Sequence, residues 1–181
     1  MFDTSEMNTD QVLEIAKDYA EENNIEDIVV ATTSGETGVK TSEVFKEGFN
    51  VVAVTHSTGF KEKNKQELEE ENKAKMEEKA IEVFTGSMIF HSWNDYYRKK
   101  KNTIATTTTM IADTLRMFGQ GMKVCVECVA MAADAGLISL KPVLAIAGTV
   151  HGADTVVLID AENSRRLMGM KILDVIAKPK K

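Results

Sequence analysis

Short apolar runs rich in β-branched residues recur along the chain, separated by longer and more polar stretches. Four of these runs, at residues 28–31, 51–55, 80–84 and 143–147, have the length and composition of strands buried on both faces of a sheet. Stretches with helical spacing of apolar residues lie between them, and Thr9 is a suitable N-cap for the first helix. This alternation predicts a parallel sheet with right-handed crossover helices.

The last part of the chain departs from this alternation. Helices are predicted at residues 103–118 and 122–137, followed by the strand at 143–147. A strand at residues 155–159 comes too soon after it for a crossover helix, so the chain must turn back. The strand at residues 155–159 and a last strand at residues 170–177 predict an antiparallel ribbon at one edge of the sheet. We therefore expect an α/β fold, mostly parallel with an antiparallel edge.

Two segments between these elements have unusual compositions. Residues 61–79 carry seven acidic and six basic residues, which is typical of a solvated helix with charge pairs between successive turns. A mobile flap over a neighbouring site is the alternative for this segment. Residues 92–101 hold the only tryptophan, two tyrosines and a run of four basic residues. This segment is suited either to stack on a planar ligand or to pack against a second subunit, and we expect a homo-oligomer.

Composition narrows the class of protein. The chain has 181 residues, which predicts a single domain over residues 1–181. A formal net charge of −6 argues against a nucleic-acid partner, and no apolar run reaches the roughly 18–20 residues of a membrane span. The first residues lack the pattern of a signal peptide. Cys125 and Cys128, the only two cysteines, lie on the apolar face of a predicted helix, so we expect reduced thiols and a cytoplasmic protein.

Four predicted strands are each followed by a loop rich in glycine and hydroxyl side chains. The carboxyl ends of parallel strands meet at one edge of a sheet, where open α/β sheets bind ligands. The alternative is that these residues only cap helices and close turns. The candidate binding residues are Thr32, Thr33, Ser34, Gly35, Glu36, Thr37 and Gly38 in the first loop, His56, Ser57, Thr58, Gly59 and Phe60 in the second, Thr85, Gly86 and Ser87 in the third, and Gly148, Thr149, Gly152 and Asp154 in the fourth.

The first loop has the strongest signal for a phosphate. It combines two glycines with four hydroxyl side chains between a buried strand and a helix, where free N–H groups and the helix dipole favour an anion. Its glycine spacing and the position of Lys40 do not match a nucleotide P-loop, which argues against an ATPase. The sequence therefore predicts a small phosphorylated ligand.

Other kinds of chemistry find little support in the sequence. The two cysteines have no second pair of ligands, and the three histidines lie on separate segments, so no metal site is predicted. No G-x-S-x-G motif is present for a serine nucleophile. His56 and His151 remain candidates for a general base, with a purely hydrogen-bonding role as the alternative for each.

Two sets of residues resemble known proteins. The run at residues 28–37 followed by the run at 51–55 is similar to the start of the C-terminal domain of pyruvate kinase, where one strand ends in Thr-x-Ser-Gly-x-Ser/Thr and the next in Ala-Val-Thr. The later runs, at residues 128–137, 147–155 and 176–179, resemble a stand-alone group of archaeal and bacterial proteins with that fold. Similarity to this group covers almost the whole chain.

The resemblance implies a three-layer α/β/α domain with strand order 3-2-1-4-5, counted from the strand at residue 28, and an antiparallel edge. It implies that Thr32, Ser34, Gly35 and Thr37 hold a phosphate. Glu36 stands where the family's loop often has a basic residue, which argues against a sugar bisphosphate. Stand-alone members look able to accommodate flavin mononucleotide (FMN), which makes FMN the expected cofactor. The catalytic barrel of pyruvate kinase is absent, so its activity is not expected; the alternative is a small enzyme or regulatory domain acting on or sensing a phosphorylated metabolite.

Overall fold

A computed structural model describes residues 1–91 and 106–180 of the chain. The predicted segment at residues 92–101 therefore lies outside the described residues. The described elements, in chain order, are β1 (Phe2–Asp3), α1 (Thr9–Asn23), β2 (Asp27–Ala31), α2 (Glu36–Val44), β3 (Asn50–Thr55), α3 (Glu70–Glu78), β4 (Glu82–Thr85), α4 (Thr107–Arg116), α5 (Gln120–Asp134), β5 (Pro142–Ala147), β6 (Thr155–Asp160), a 3₁₀ helix (Ser164–Gly169) and β7 (Lys171–Lys178).

The strands form one mixed sheet in the order β1-β7-β6-β5-β2-β3-β4. Strand β2 is central and pairs in parallel with both β3 and β5, so that Ile28 lies opposite Val51 on one side and Leu144 on the other. β3 and β4 are also parallel, whereas β5–β6 and β6–β7 are antiparallel. Counted from β2, this is the predicted order 3-2-1-4-5 with an antiparallel region, and the predicted fold class is confirmed.

The edge next to β7 differs from the prediction. The ribbon of β6 and β7 is present, but β1 adds to it in parallel, with Phe2 opposite Ala177. The backbone N–H of Thr4 donates to the Lys178 carbonyl at 3.2 Å and extends this pairing. A two-residue exposed strand has no measurable periodicity, which is why the sequence did not indicate it.

Helices cover both faces of the sheet and enclose two apolar cores. On one face α1 packs against β5, β6 and β7, α2 against β2, and α3 against β4 and α2. On the other face α5 packs against β2, β3, β5 and β6, and α4 packs against α5. Helix α5 is buried along nearly its whole length, because small residues let it lie close to the sheet. Cys125 and Cys128 are buried on this helix as free thiols, in the core position that the sequence predicted.

The charged segment is less helical than predicted. Only Glu70–Glu78 forms a helix, and residues 61–69 run as an irregular segment along the first loop. The Glu69 N–H donates to the Ser34 carbonyl at 3.0 Å, and Met76 is fully buried against α2. The segment is therefore anchored to the fold at these points, although its outer face is charged.

Smaller shifts affect helix ends. Asn8, not Thr9, caps α1, because its side chain accepts from the N–H of Gln11 and the Gln11 side chain accepts from the Asn8 N–H. Helix α4 begins after Thr106, whose hydroxyl caps the N–H of Thr109. No helix among residues 1–91 and 106–180 is long and apolar enough to cross a membrane.

Candidate functional site

A cavity of about 350 Å³ opens at the carboxyl edge of the sheet, next to β2, β3 and β5. The strand order reverses at β2, because the chain proceeds from β2 to β3 and β4 and then returns to β5 on the other side. Open α/β sheets bind ligands at this kind of switch point. The loops that follow β2, β3 and β5 form part of the wall, and one face of α5 forms the rest with residues near His91.

The first loop presents hydroxyl groups and the start of α2 to the cavity. Thr33, Ser34, Glu36 and Thr37 line the wall. Thr32 is also on the wall, but it is almost fully buried, and its hydroxyl accepts from the Gly38 N–H at 3.3 Å and so closes the loop internally. Of the first N–H groups of α2, that of Gly38 is bound to Thr32 and that of Glu36 faces the Ser34 hydroxyl at 3.5 Å. The hydroxyls of Thr33, Ser34 and Thr37 at the start of α2 are therefore the main donors for an anion.

Packing explains the two glycines of this loop more directly than ligand approach does. Gly35 precedes α2 at φ +102°, and a Cβ there would lie 2.5 Å from Cβ of Asn72. A Cβ on Gly38 would lie 2.2 Å from the sulfur of Met76. Both positions need glycine because α3 and the segment before it press against the loop. Neither glycine lines the cavity, although both were predicted as binding residues.

The second loop contributes an imidazole and a phenyl ring. His56 Nδ1 lies 2.8 Å from Oε2 of Glu67, and the His56 and Phe60 ring centroids are 4.3 Å apart. The Phe60 ring also meets His91 edge to face at 5.9 Å. His56 and Phe60, both candidate site residues from the sequence, line the cavity. Glu67 was not singled out, because it lies among many other charges in residues 61–79.

The fourth loop is held in shape by its own polar groups. The Asp154 carboxylate accepts from the Thr149 N–H at 2.9 Å and from the Thr155 hydroxyl at 2.5 Å. A Cβ on Gly148 would lie 2.0 Å from the Gly152 carbonyl oxygen, so a glycine is needed for the tight turn. Asp154 supports the loop from behind, while His151 and its neighbours face the cavity.

The structure thus brings three of the four predicted loops to one cavity. The third loop does not line it, and the Thr85 hydroxyl instead lies 2.7 Å from that of Thr55. The predicted residues on the wall are Thr32, Thr33, Ser34, Glu36, Thr37, His56, Phe60, Gly148, Thr149, His151 and Gly152. The predicted residues away from it are Gly35, Gly38, Ser57, Thr58, Gly59, Thr85, Gly86, Ser87 and Asp154.

A buried ion pair on α5 is the main part of the wall that the sequence analysis missed. The side chains of Lys123 and Glu127 are 0% and 2% exposed, and Lys123 Nζ donates a hydrogen bond to Oε2 of Glu127. His91 Nδ1 lies 2.9 Å from Lys123 Nζ, and Arg116 Nη2 lies 3.3 Å from His91 Nε2. The available signal was a lysine and a glutamate four residues apart inside an otherwise apolar helix.

Burial shapes the titration of this pair and of the neighbouring thiol. Burial lowers the pKa of Lys123, and the charge of Glu127 offsets only part of this effect. Burial works to raise the pKa of Glu127, but hydrogen bonds from His91, Lys123 and the Phe90 N–H outweigh it and leave the pKa lowered. Burial raises the pKa of the Cys128 thiol to about 12, which makes it a poor nucleophile.

The residues that the structure describes do not form a metal-binding cluster. Within residues 1–91 and 106–180, no three His, Cys, Asp or Glu side chains lie close enough together to hold a metal ion.

The sequence of the chain was compared with models of known protein families. The sequence model of the family described as pyruvate kinase, alpha/beta domain, matches residues 10–173. The matched range runs from Asp10 in α1 to Leu173, the third residue of β7, and includes every residue of the cavity wall.

Proposed function

The chain belongs to the pyruvate kinase alpha/beta domain family, and from that premise we propose that it binds a small phosphorylated ligand, with FMN as the first candidate. The observation that carries this proposal is the cavity at the β2 switch point, where a hydroxyl-rich loop and a helix start share one wall with aromatic and apolar side chains. Ligands with a charged end and a flat apolar end match such a division.

Hydrogen-bond donors support the phosphate end. Thr33, Ser34 and Thr37 offer hydroxyls at the start of α2, and a phosphate there also gains from the helix dipole. Glu36 lines the same part of the wall and opposes a second negative charge. The binding energy at this end therefore comes from hydrogen bonds more than from ion pairing, which favours one phosphate over two.

The rest of the wall fits a planar ring. Val54, Met88 and Met131 supply apolar surface, and the Phe60 ring is 43% exposed beside His56. A volume of about 350 Å³ lies at the lower end of the range for small-molecule sites, roughly 300–1,000 Å³. These residues would hold the ring system of FMN, and the hydroxyls of the first loop would hold its phosphate. When bound, FMN would supply hydride or single-electron transfer chemistry.

Ligand titration of a single-hydroxyl variant tests the proposal. Thr37→Val keeps the side-chain shape and removes one hydroxyl, and Thr41→Val is the matched control, because the buried Thr41 hydroxyl donates to the Thr37 carbonyl away from the cavity. A hydrogen bond to a charged group contributes about 1.5–3 kcal/mol, so the Kd for FMN should rise on the order of ten- to a hundredfold in Thr37→Val. Riboflavin, which lacks the phosphate, should bind both variants like the parent protein.

Two outcomes would count against the proposal in different ways. If the parent protein binds neither FMN nor riboflavin by calorimetry, FMN is the wrong ligand. If both bind and Thr37→Val weakens them equally, the phosphate does not lie at the first loop.

An enzymatic role is the second candidate, and the contact between His56 and Glu67 favours it. With Nδ1 facing a carboxylate at 2.8 Å, the imidazole keeps its proton on Nδ1 and leaves Nε2 as a base. An oriented imidazole on a cavity wall is suited to act on a phosphorylated metabolite. Turnover that is lost in His56→Gln, in a variant that still binds the metabolite, would support this role. Equal turnover in the variant would remove it.

A further inference from the structure

Four polar side chains form a continuous row on the cavity side of α5. Arg116 Nη2 lies 3.3 Å from Nε2 of His91, and Nδ1 of His91 lies 2.9 Å from Lys123 Nζ. Lys123 donates to Oε2 of Glu127, whose Oε1 accepts from the Phe90 N–H at 2.7 Å. The side chains of Arg116 and His91 are 28% and 15% exposed, while the other two are buried. The row therefore runs from a buried carboxylate to the more exposed Arg116, and Glu127, Lys123 and His91 all line the cavity.

The donors and acceptors of these side chains restrict where the protons of the row can lie. Arginine and a protonated lysine are donors only, whereas neutral histidine has one N–H and one acceptor nitrogen. If Arg116 donates to Nε2, the proton of His91 lies on Nδ1, and Lys123 must then be an amine that accepts it. If Lys123 is instead an ammonium that donates to Nδ1, then Nε2 carries the proton and faces a second donor. Nδ1 also lies 3.5 Å from Oε2 of Glu127, which can accept only when Nδ1 carries the proton. With a neutral His91, the contacts to Arg116, Lys123 and Glu127 are therefore satisfied together only in the first state.

We propose that this row is a proton relay that delivers a proton from Lys123, through His91, to a ligand atom in the cavity. The His91 Nε2–H bond breaks and its proton passes to a basic ligand atom or to water. A proton moves from Lys123 Nζ to His91 Nδ1, which leaves a neutral amine that still donates to the Glu127 carboxylate. Arg116 then donates to the vacated Nε2. The reverse sequence takes a proton from the ligand, so His91 is a catalytic acid and base and Lys123 its proton store.

The surroundings support such a transfer. Burial lowers the pKa of Lys123, which brings its amine form closer to neutral pH, while the lowered pKa of Glu127 keeps a charged acceptor beside it. Two other groups act on the row from nearby: Asp113 pairs with Arg116 at 2.6 Å, and Cys128 lies close enough to influence Lys123. His56 faces His91 from the other side of the Phe60 ring.

The tautomer of His91 is the measurable signature of the relay. Nitrogen NMR on the full chain, labelled with ¹⁵N in histidine and lysine and free of added ligand, distinguishes Nε2–H from Nδ1–H. We expect the proton to move from Nε2 to Nδ1 as Lys123 loses its own proton, at a pH below the ordinary lysine value of about 10.4. Because no ligand is added, this result is independent of whether FMN binds.

Substitutions separate a relay from a structural ion pair. In Lys123→Met the expected result is one neutral tautomer, Nδ1–H, at every pH, because Arg116 still donates to Nε2. Lys73→Met is the matched control, because Lys73 is an exposed lysine on α3 paired with Glu77. In this variant the tautomer of His91 should still change with pH, a change called the switch below. Should Lys123→Met fail to fold, the double variant with Glu127→Gln removes both charges and should also lose the switch.

Arg116→Gln gives a result with a predicted sign. The charge of Arg116 helps to lower the pKa of Lys123, so its removal should move the switch to higher pH. A single His91 tautomer at all pH values in the parent protein would overturn the relay. So would an unchanged switch in Lys123→Met.

Discussion

Replacing Lys123 by methionine gives the sharpest test of how the buried pair contributes to stability. Methionine keeps most of the apolar stem and its volume but removes the charge, so that Glu127, 2% exposed, is left without its cationic partner. Removing one member of a buried pair costs about 3–5 kcal/mol, because the remaining charge stays desolvated. For a chain of this length, 1 kcal/mol corresponds to roughly 2–4 °C, so Tm should fall by about 6–20 °C.

The double variant Lys123→Met with Glu127→Gln is the control for this reasoning. Glutamine still accepts from the Phe90 N–H through its carbonyl oxygen, and no buried charge remains. Its free energy of unfolding, measured by urea denaturation monitored by circular dichroism, should therefore recover to within about 1.5 kcal/mol of the parent. If the double variant is as unstable as Lys123→Met alone, the loss comes from packing and the charge argument is wrong.

The pH dependence of unfolding follows from the same pair. Lys123 has a lowered pKa in the folded protein, so between that pKa and about 10.4 the unfolded chain binds more protons and stability rises with pH. The parent should gain stability over this window relative to the double variant, which lacks the group. A constant difference between the two proteins across the window would contradict the lowered pKa.

Three further predictions concern the site, the fold and the assembly. Glu36→Gln should strengthen FMN binding a few-fold without changing riboflavin binding, because it removes a negative charge from the phosphate end; an equal gain for both ligands in calorimetry would contradict this placement. Gly38→Ala should cost about 1–3 kcal/mol in urea denaturation, because its Cβ would meet the Met76 sulfur, whereas the roomier Gly169→Ala should change little. We propose a homo-oligomer, because β1 covers only two residues of β7 and leaves Leu173 48% exposed at this edge of the sheet. Sedimentation that shows only the 20.0 kDa chain at micromolar concentration would refute this proposal.

The sequence predicted the sheet well because parallel strands carry a strong local signal. Runs such as Val51–Val54 are apolar on both faces, and the short gap before Thr155 leaves only an antiparallel turn. The same reasoning failed for β1, which has two residues, and for residues 61–79, where many charges concealed the anchoring contacts of Leu68 before α3 and of Asn72 on α3. The hydrophobic pattern of a segment indicates which of its residues pack on the sheet. It does not indicate which loops the segment contacts.

Residues of the site were predictable only where they follow strands. Thr37, His56 and Gly148 follow β2, β3 and β5, and topology alone places such positions at one edge. A glycine that lets a ligand approach and one that lets a helix pack look alike in sequence, and at Gly35 and Gly38 the structure shows close packing by α3 and the residues before it. Neither position lines the cavity, although the loop that contains them does.

Helix α5 links the stability of the fold to the chemistry of the cavity. Its small residues let it lie close to the sheet, which buries Lys123 and Glu127 deeply enough that each depends on the other. The partners of this pair outside α5, the Phe90 N–H and His91, follow β4, so the ions also fix the chain after that strand beside the cavity. A lysine and glutamate kept only for stability would be replaceable by apolar residues of similar size, as the double variant tests. If the double variant is stable while its His91 keeps one tautomer at every pH, the buried pair is not needed for stability, and its role is to supply a proton to the cavity.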